Sequence, residues 1–159
     1  MARQRFSVGD ALEVPVGDGC GPSLGQVIDI IPEALNAVGC AFWVERNGNA
    51  ARQVKSPPIS VLLVTPDLLK NKTWQVVGNA AASIPIGARP YERFRTARWV
   101  GAKVIGSATV REFLQACRGL ADWDDWADPR YLDSLLFPGT PIPIEARYNR
   151  GTTSDSSRR

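Results

Sequence analysis

Residues 5–31, RFSVGDALEVPVGDGCGPSLGQVIDII, carry the pattern that decides the fold. Phe6, Val8, Leu12, Val14 and Val16 are apolar at mostly alternate positions, with Asp10 and Glu13 among the breaks. A half-buried strand needs that period of two, because successive side chains point to opposite faces of a sheet. Gly17, Asp18 and Gly19 supply a reversal, through positive φ and a side chain that bonds its own backbone. The chain then returns through LGQVIDI at 24–30, β-branched and strand-like. The stretch predicts an antiparallel hairpin and contains no catalytic group.

Working outward, VGCAFWVE at 38–45 reads as a strand with Phe42 and Trp43 on opposite faces. Asn47, Gly48 and Asn49 mark a turn, and Gln53-Val54 opens a short return strand. Pro57-Pro58 interrupts any ladder, since neither residue donates an N–H. ISVLLV at 59–64 is an apolar run of strand length. Thr65-Pro66-Asp67 predicts one helical turn with Thr65 as N-cap, ended by Asn71 and packed over the sheet. WQVVG at 74–78 reads as the next strand, and 80–90 as loop. Tyr91 to Thr96 and Trp99 to Ile105 are two further strand candidates, with Arg93 and Arg95 on an outer basic face.

Two helices are expected after that. Thr109 and Glu112 form a capping box, and Val110, Phe113, Leu114 and Cys117 recur on one face before Gly119. Asp128-Pro129 starts a second helix, with Tyr131, Leu132, Leu135 and Leu136 inward and Pro138-Gly139 as its stop. Ile142 and Ile144 suggest an edge strand. The expected fold is therefore α+β: a mostly antiparallel, strongly bent sheet or small SH3-like barrel in the N-terminal two-thirds, with two C-terminal helices packed on it.

The 159 residues suit one domain, expected over 1–148, with a disordered tail over 149–159, where apolar residues are lacking. No run of eighteen apolar residues occurs, and the N-terminus lacks an apolar leader core, so a cytoplasmic location is the expectation. Cys20, Cys40 and Cys117 match no metal-ligand spacing and are expected as free thiols. The sequence has no histidine. That removes Ser-His, Cys-His and His-metal chemistry together. Catalysis by carboxylates, Lys or Tyr stays open but needs positive evidence, and the expectation is no catalytic residue, no metal and no cofactor.

The net charge of +3 hides a basic segment at 87–111 and an acidic one at 121–133. In the acidic segment Asp122, Trp123, Asp124, Asp125 and Trp126 are the candidate partner-binding residues, because Trp anchors interfaces and clustered carboxylates attract a basic partner. The simpler alternative is that both Trp residues fold into the core while the Asp residues cap helices. A calcium loop is disfavoured by the missing central Gly and distal Glu. In the basic segment, Arg89 to Lys103 interleaved with Tyr91, Phe94 and Trp99 resembles a nucleic-acid surface, against the simpler reading of a solvated strand face.

Val8-Gly9-Asp10, Val14-Pro15, Gly17-Asp18-Gly19 and Gly25-Gln26-Val27 together resemble the opening of the immunity protein 26 family. So do Trp74 with Val77-Gly78, and later Gly119-Leu120, Trp123-Asp124 and Asp128-Pro129-Tyr131-Leu132. The resemblance spans about 6–136. It implies a largely β antidote of a bacterial polymorphic toxin system, which binds a cognate toxin domain and blocks it stoichiometrically; the acidic stretch Asp122 to Asp128 adds the expectation that this toxin is a nuclease. It brings no catalytic or binding residue with it. A membrane, a small-molecule substrate or a nucleic-acid partner is not expected on this reading. The rival from another class is a nucleic-acid-binding SH3-like barrel or a barrel-type ribonuclease toxin.

Overall fold

The computed structural model describes residues 3–17 and 19–149. Its centre is an open six-stranded sheet whose strands lie in the spatial order Gln75–Asn79, Asp10–Val14, Ser23–Ile31, Ala37–Trp43, Ser60–Val64 and Val104–Ile105. β1 (Asp10–Val14) and β2 (Ser23–Ile31) form the expected hairpin, with Leu12 opposite Gly25 and Val14 opposite Ser23. Gly19 at its turn has φ +74°, while Asp18 lies outside the described residues. β3 (Ala37–Trp43) and β4 (Ser60–Val64) extend the antiparallel ladder on one side, and β5 (Gln75–Asn79) on the other. β6 (Val104–Ile105) pairs with β4 in parallel, so the sheet is mixed. Both ends are free edges, and the sheet does not close into an SH3-like barrel.

Every residue of β3 is buried, because both faces of the sheet are covered. Val38, Cys40 and Phe42 share one face with Leu12, Val27 and Trp74, against α3 (Ser107–Cys117). Ala37, Ala41 and Trp43 share the other with Leu24, Ile28 and Leu63, beneath Val54, Ile84, Tyr91 and Trp99. Phe42 and Trp74 meet edge to face at 5.7 Å, which fixes α2 (Asp67–Lys70) and its following chain over the first face.

Four local expectations fail for identifiable reasons. Gln53 belongs to α1 (Ala50–Gln53), one turn capped by Asn49, whose side chain accepts from Arg52 N–H at 3.1 Å. Residues 91–105 do not form a strand pair: Glu92–Ala97 is a 3-10 turn, and Arg98 and Trp99 have positive φ. Over six residues a period of two and a 3-10 period of three share too many positions to be told apart. The second C-terminal helix is only the 3-10 turn Tyr131–Leu135. Pro138 disfavours helical geometry at Phe137, leaving too few residues after Pro129 to repay nucleation. Ile142 and Ile144 lie in no strand, and Ile144 is 94% exposed.

α3 keeps its predicted inner face and its Gly119 terminator at φ +73°, but starts two residues before Thr109. The Thr65 hydroxyl, expected to cap α2, accepts instead from the N–H of Ser107 at 3.1 Å and donates to Asp67 at 2.7 Å. Ser107 Oγ also donates to Asp67, at 2.9 Å. Burial alone would raise the Asp67 pKa, but these hydroxyl bonds and backbone N–H groups hold it below the ordinary carboxylate value. The tail expected over 149–159 lies outside the described residues except for Asn149, whose N–H donates to Asp124 Oδ1 at 2.7 Å.

A bulge in β2, between Val27 and Asp29, places Ile28 and Asp29 on the same face. Asp29 thereby meets the 80–102 segment. Its Oδ2 accepts from Arg89 Nη1 and Tyr91 Oη, each at 3.2 Å, and from Arg95 Nη2 at 3.4 Å. The Arg89 side chain is only 9% exposed and also donates to the Ile28 and Ile84 carbonyls. Burial, then the Asp29 charge, pushes the Tyr91 phenol upward despite Arg89, so Tyr91 stays a donor. Asp29→Asn removes the charge that balances Arg89. The expected loss is about 2 kcal/mol, in line with hydrogen bonds to charged groups, checked by urea unfolding.

All three cysteines are free; Cys40 and Cys117 are buried and Cys20 half-buried. A chromogenic disulfide reagent should therefore titrate Cys20 in the native protein and all three thiols only after denaturation. Burial pushes the Cys117 thiol up to about 12, against the opposing charge of Arg118, and pushes Cys40 further still. The sign follows directly: above the ordinary thiol value of 9.0 the unfolded thiol loses its proton and the folded one keeps it. This stabilisation is complete below that pH and is lost as pH rises from it towards about 12 for Cys117. Urea midpoints should be lower at pH ~10 than at pH ~8, because those values lie on either side of the unfolded thiol pKa.

Candidate functional site

The predicted residues Asp122 to Trp126 lie in the connection between α3 and the 3-10 turn Tyr131–Leu135. Three interactions hold it. Trp123 N–H donates to the Arg147 carbonyl at 2.7 Å, Trp123 Nε1 donates to Asp133 Oδ1 at 2.8 Å, and the Trp123 and Phe113 rings lie 5.9 Å apart. Trp123 is 1% exposed and belongs to the core, leaving no face for a partner. Asp133 and Asp128 serve the local chain: Asp128 Oδ1 accepts from Arg130 N–H at 2.9 Å.

The remaining members face outward. Asp125 is exposed, and Asp122, Asp124 and Trp126 are half-buried. Asp122 is 3.9 Å from Arg147 Nη2. With Glu112, Gln115 and Ala121, the side chains of Asp122, Asp125 and Trp126 line a hollow of about 130 Å³. Glu112, which the sequence reading assigned to a capping box, contributes a third carboxylate to it. Its position one turn from Gln115 on an exposed helix face was the available signal. The result is a shallow acidic surface with one accessible indole, suited to a basic protein surface.

Part of the basic segment is engaged by the fold. Tyr91 and Trp99 are buried, and Arg89 and Arg95 are engaged by Asp29. Arg95 also pairs with Glu92 at 2.6 Å and lies over the Trp99 ring at 4.8 Å. Tyr91 and Trp99 therefore serve the fold, while Phe94 is half-buried and Arg93, Arg98 and Lys103 are exposed.

Sequence reasoning missed a cleft of about 340 Å³ at the β6 edge, between the two 3-10 turns. Val61, Leu62, Leu63, Phe94 and Ile105 give it apolar walls, and Arg93 and Lys103 stand at it with Tyr131 and Ser134. The Tyr131 ring packs on Trp126 at 4.9 Å with the planes tilted by 43°, so one ring pair separates this cleft from the acidic hollow. Among the described residues no group of three or more Cys, Asp and Glu side chains is placed to hold a metal ion, and no helix is long and apolar enough to cross a membrane. The chain matches no known family, no curated protein and no solved structure.

Proposed function

We propose that the protein is an immunity protein, which binds a cognate bacterial toxin domain in the cytoplasm and neutralises it as a stoichiometric inhibitor rather than as an enzyme. The observation that carries this reading is the acidic hollow with its accessible Trp126, beside short motifs that resemble the immunity protein 26 family. The lack of histidine and the structural use of Asp29, Asp67, Asp128 and Asp133 also support binding over catalysis. A nuclease toxin is a suitable target, because its cationic substrate cleft complements three clustered carboxylates.

The test is co-production with the C-terminal domain of the polypeptide encoded immediately upstream. A one-to-one complex and restored growth of the host are the expected results. No complex and no protection would overturn the immunity reading. Within a complex, Asp122→Asn with Asp125→Asn should slow association and weaken affinity by about tenfold at low salt. The melting temperature should be unchanged, since both are solvent-facing carboxylates. Unchanged affinity would move the contact surface elsewhere.

A further inference from the structure

We propose that the cleft at the β6 edge is a binding site for a small organic anion with an apolar body, of the aryl or short alkyl carboxylate class. The cleft exists because β6 is too short. It pairs only with Leu63 and Val64, leaving the outer edge of β4 without a neighbouring strand at Val61 and Leu62, while Ser60 is buried and its Oγ donates to the Leu135 carbonyl. At the other end the chain returns, with Phe137 N–H donating to the Ile59 carbonyl at 2.9 Å. The unpaired run of two residues is roughly 7 Å long at the rise of a strand. An added peptide strand would collide with both ends, whereas a small molecule fits.

The walls set the ligand's chemistry. Most of the lining is aliphatic or aromatic, which asks for an apolar body. Its two charged side chains are both cations, and no carboxylate lines it. Arg93 lies over the Phe94 ring at 4.7 Å, a contact that places the guanidinium while leaving its N–H donors available. Neither Arg93 nor Lys103 has an ion pair among the described residues. Arg89 and Arg95, the two arginines that touch Asp29, are already balanced, whereas Arg93 and Lys103 are the two cations that line the cleft without a partner carboxylate among the described residues. Carboxylate, borne on an apolar body, is a group that a guanidinium fork and an ammonium both recognise. This site is independent of toxin binding and stands or falls without it.

Naphthoate, naphthamide and acetate separate the contributions, titrated into the full chain by calorimetry and by amide chemical-shift mapping. Naphthoate should bind about tenfold more tightly than the neutral, equally shaped naphthamide, the scale of one charge-assisted contact. Acetate, which has no body, should not saturate the site. Shifts should centre on Leu62, Phe94 and Gly101. Arg93→Gln with Lys103→Gln, both exposed positions, should bring naphthoate down to the naphthamide affinity while leaving naphthamide itself unchanged. Equal affinities for the two aromatic probes, an unaffected double variant, shifts centred elsewhere, or no naphthoate binding at millimolar concentration would each overturn the proposal.

Discussion

Trp123→Ala is expected to destabilise the fold by about 4 kcal/mol, the usual cost of removing a fully buried indole. For a chain of this length that corresponds to a fall in melting temperature of about 10 °C. The side chain fills space against Phe113, and its N–H satisfies Asp133. Truncation therefore opens a cavity and strips a carboxylate of its donor at once. The neighbouring Trp126→Ala removes a half-buried ring packed at a tilt on Tyr131 and should cost about 1 kcal/mol, the worth of an aromatic pair. The two tryptophans sit three residues apart in one acidic run, yet they have different physical roles. Thermal unfolding of both variants, followed by toxin binding of Trp126→Ala alone, separates scaffold from surface. A Trp123→Ala protein as stable as the parent would show that Trp123 does not belong to the core.

Gly39→Ala is expected to cost about 3 kcal/mol, at the upper end for overpacking a close-packed interior. Gly39 lies in β3, the most deeply buried strand. A β-carbon there would collide with Tyr91 Oη and sit 2.8 Å from the Asp29 β-carbon. Neither neighbour can retreat easily: Asp29 is held in β2, and Tyr91 is held by its bond to Asp29. Tyr91→Phe removes the nearest atom and loses one hydrogen bond, costing about 1 kcal/mol alone. In the Gly39→Ala background the same change should recover stability, giving a coupling of opposite sign in a double-mutant cycle. Simple additivity would mean that the hydroxyl is not what excludes the methyl group. Gly39 thus stays small to admit the residue that fastens the outer layer to the sheet.

Much of the scaffold was readable because its cues are local. The hairpin of 5–31, the strands at 38–45, 59–64 and 74–78, and the inner face of α3 all announce themselves through side-chain period and punctuation. The errors fall where few residues decide between similar periods. In 91–105, alternation of Arg with Phe and Thr suited a strand, but positive φ at Arg98 and Trp99 bends the chain into turns. After Asp128-Pro129 a helical start was present, but too little chain remained before Pro138 to continue it. At Thr109, a valid capping pattern lost to a hydroxyl from Thr65, which lies 42 residues away from its Ser107 partner.

The candidate sites divide in the same way. The acidic composition of 121–133 was evident, but burial of Trp123 and exposure of Asp125 depended on packing against α3 and on Arg147. Asp29 gave no warning inside VIDII, since only the bulge turns it towards Arg89 and Tyr91. The β6 cleft had no sequence signature, because its walls come from four separated segments. The chain's own order of apolar and polar residues is enough to specify strands, because a strand needs only its period and its ends. Which charges are neutralised, which rings are covered and where a sheet edge is left open are properties of distant pairs. Those pairs exist only once the two covering layers have closed on the sheet.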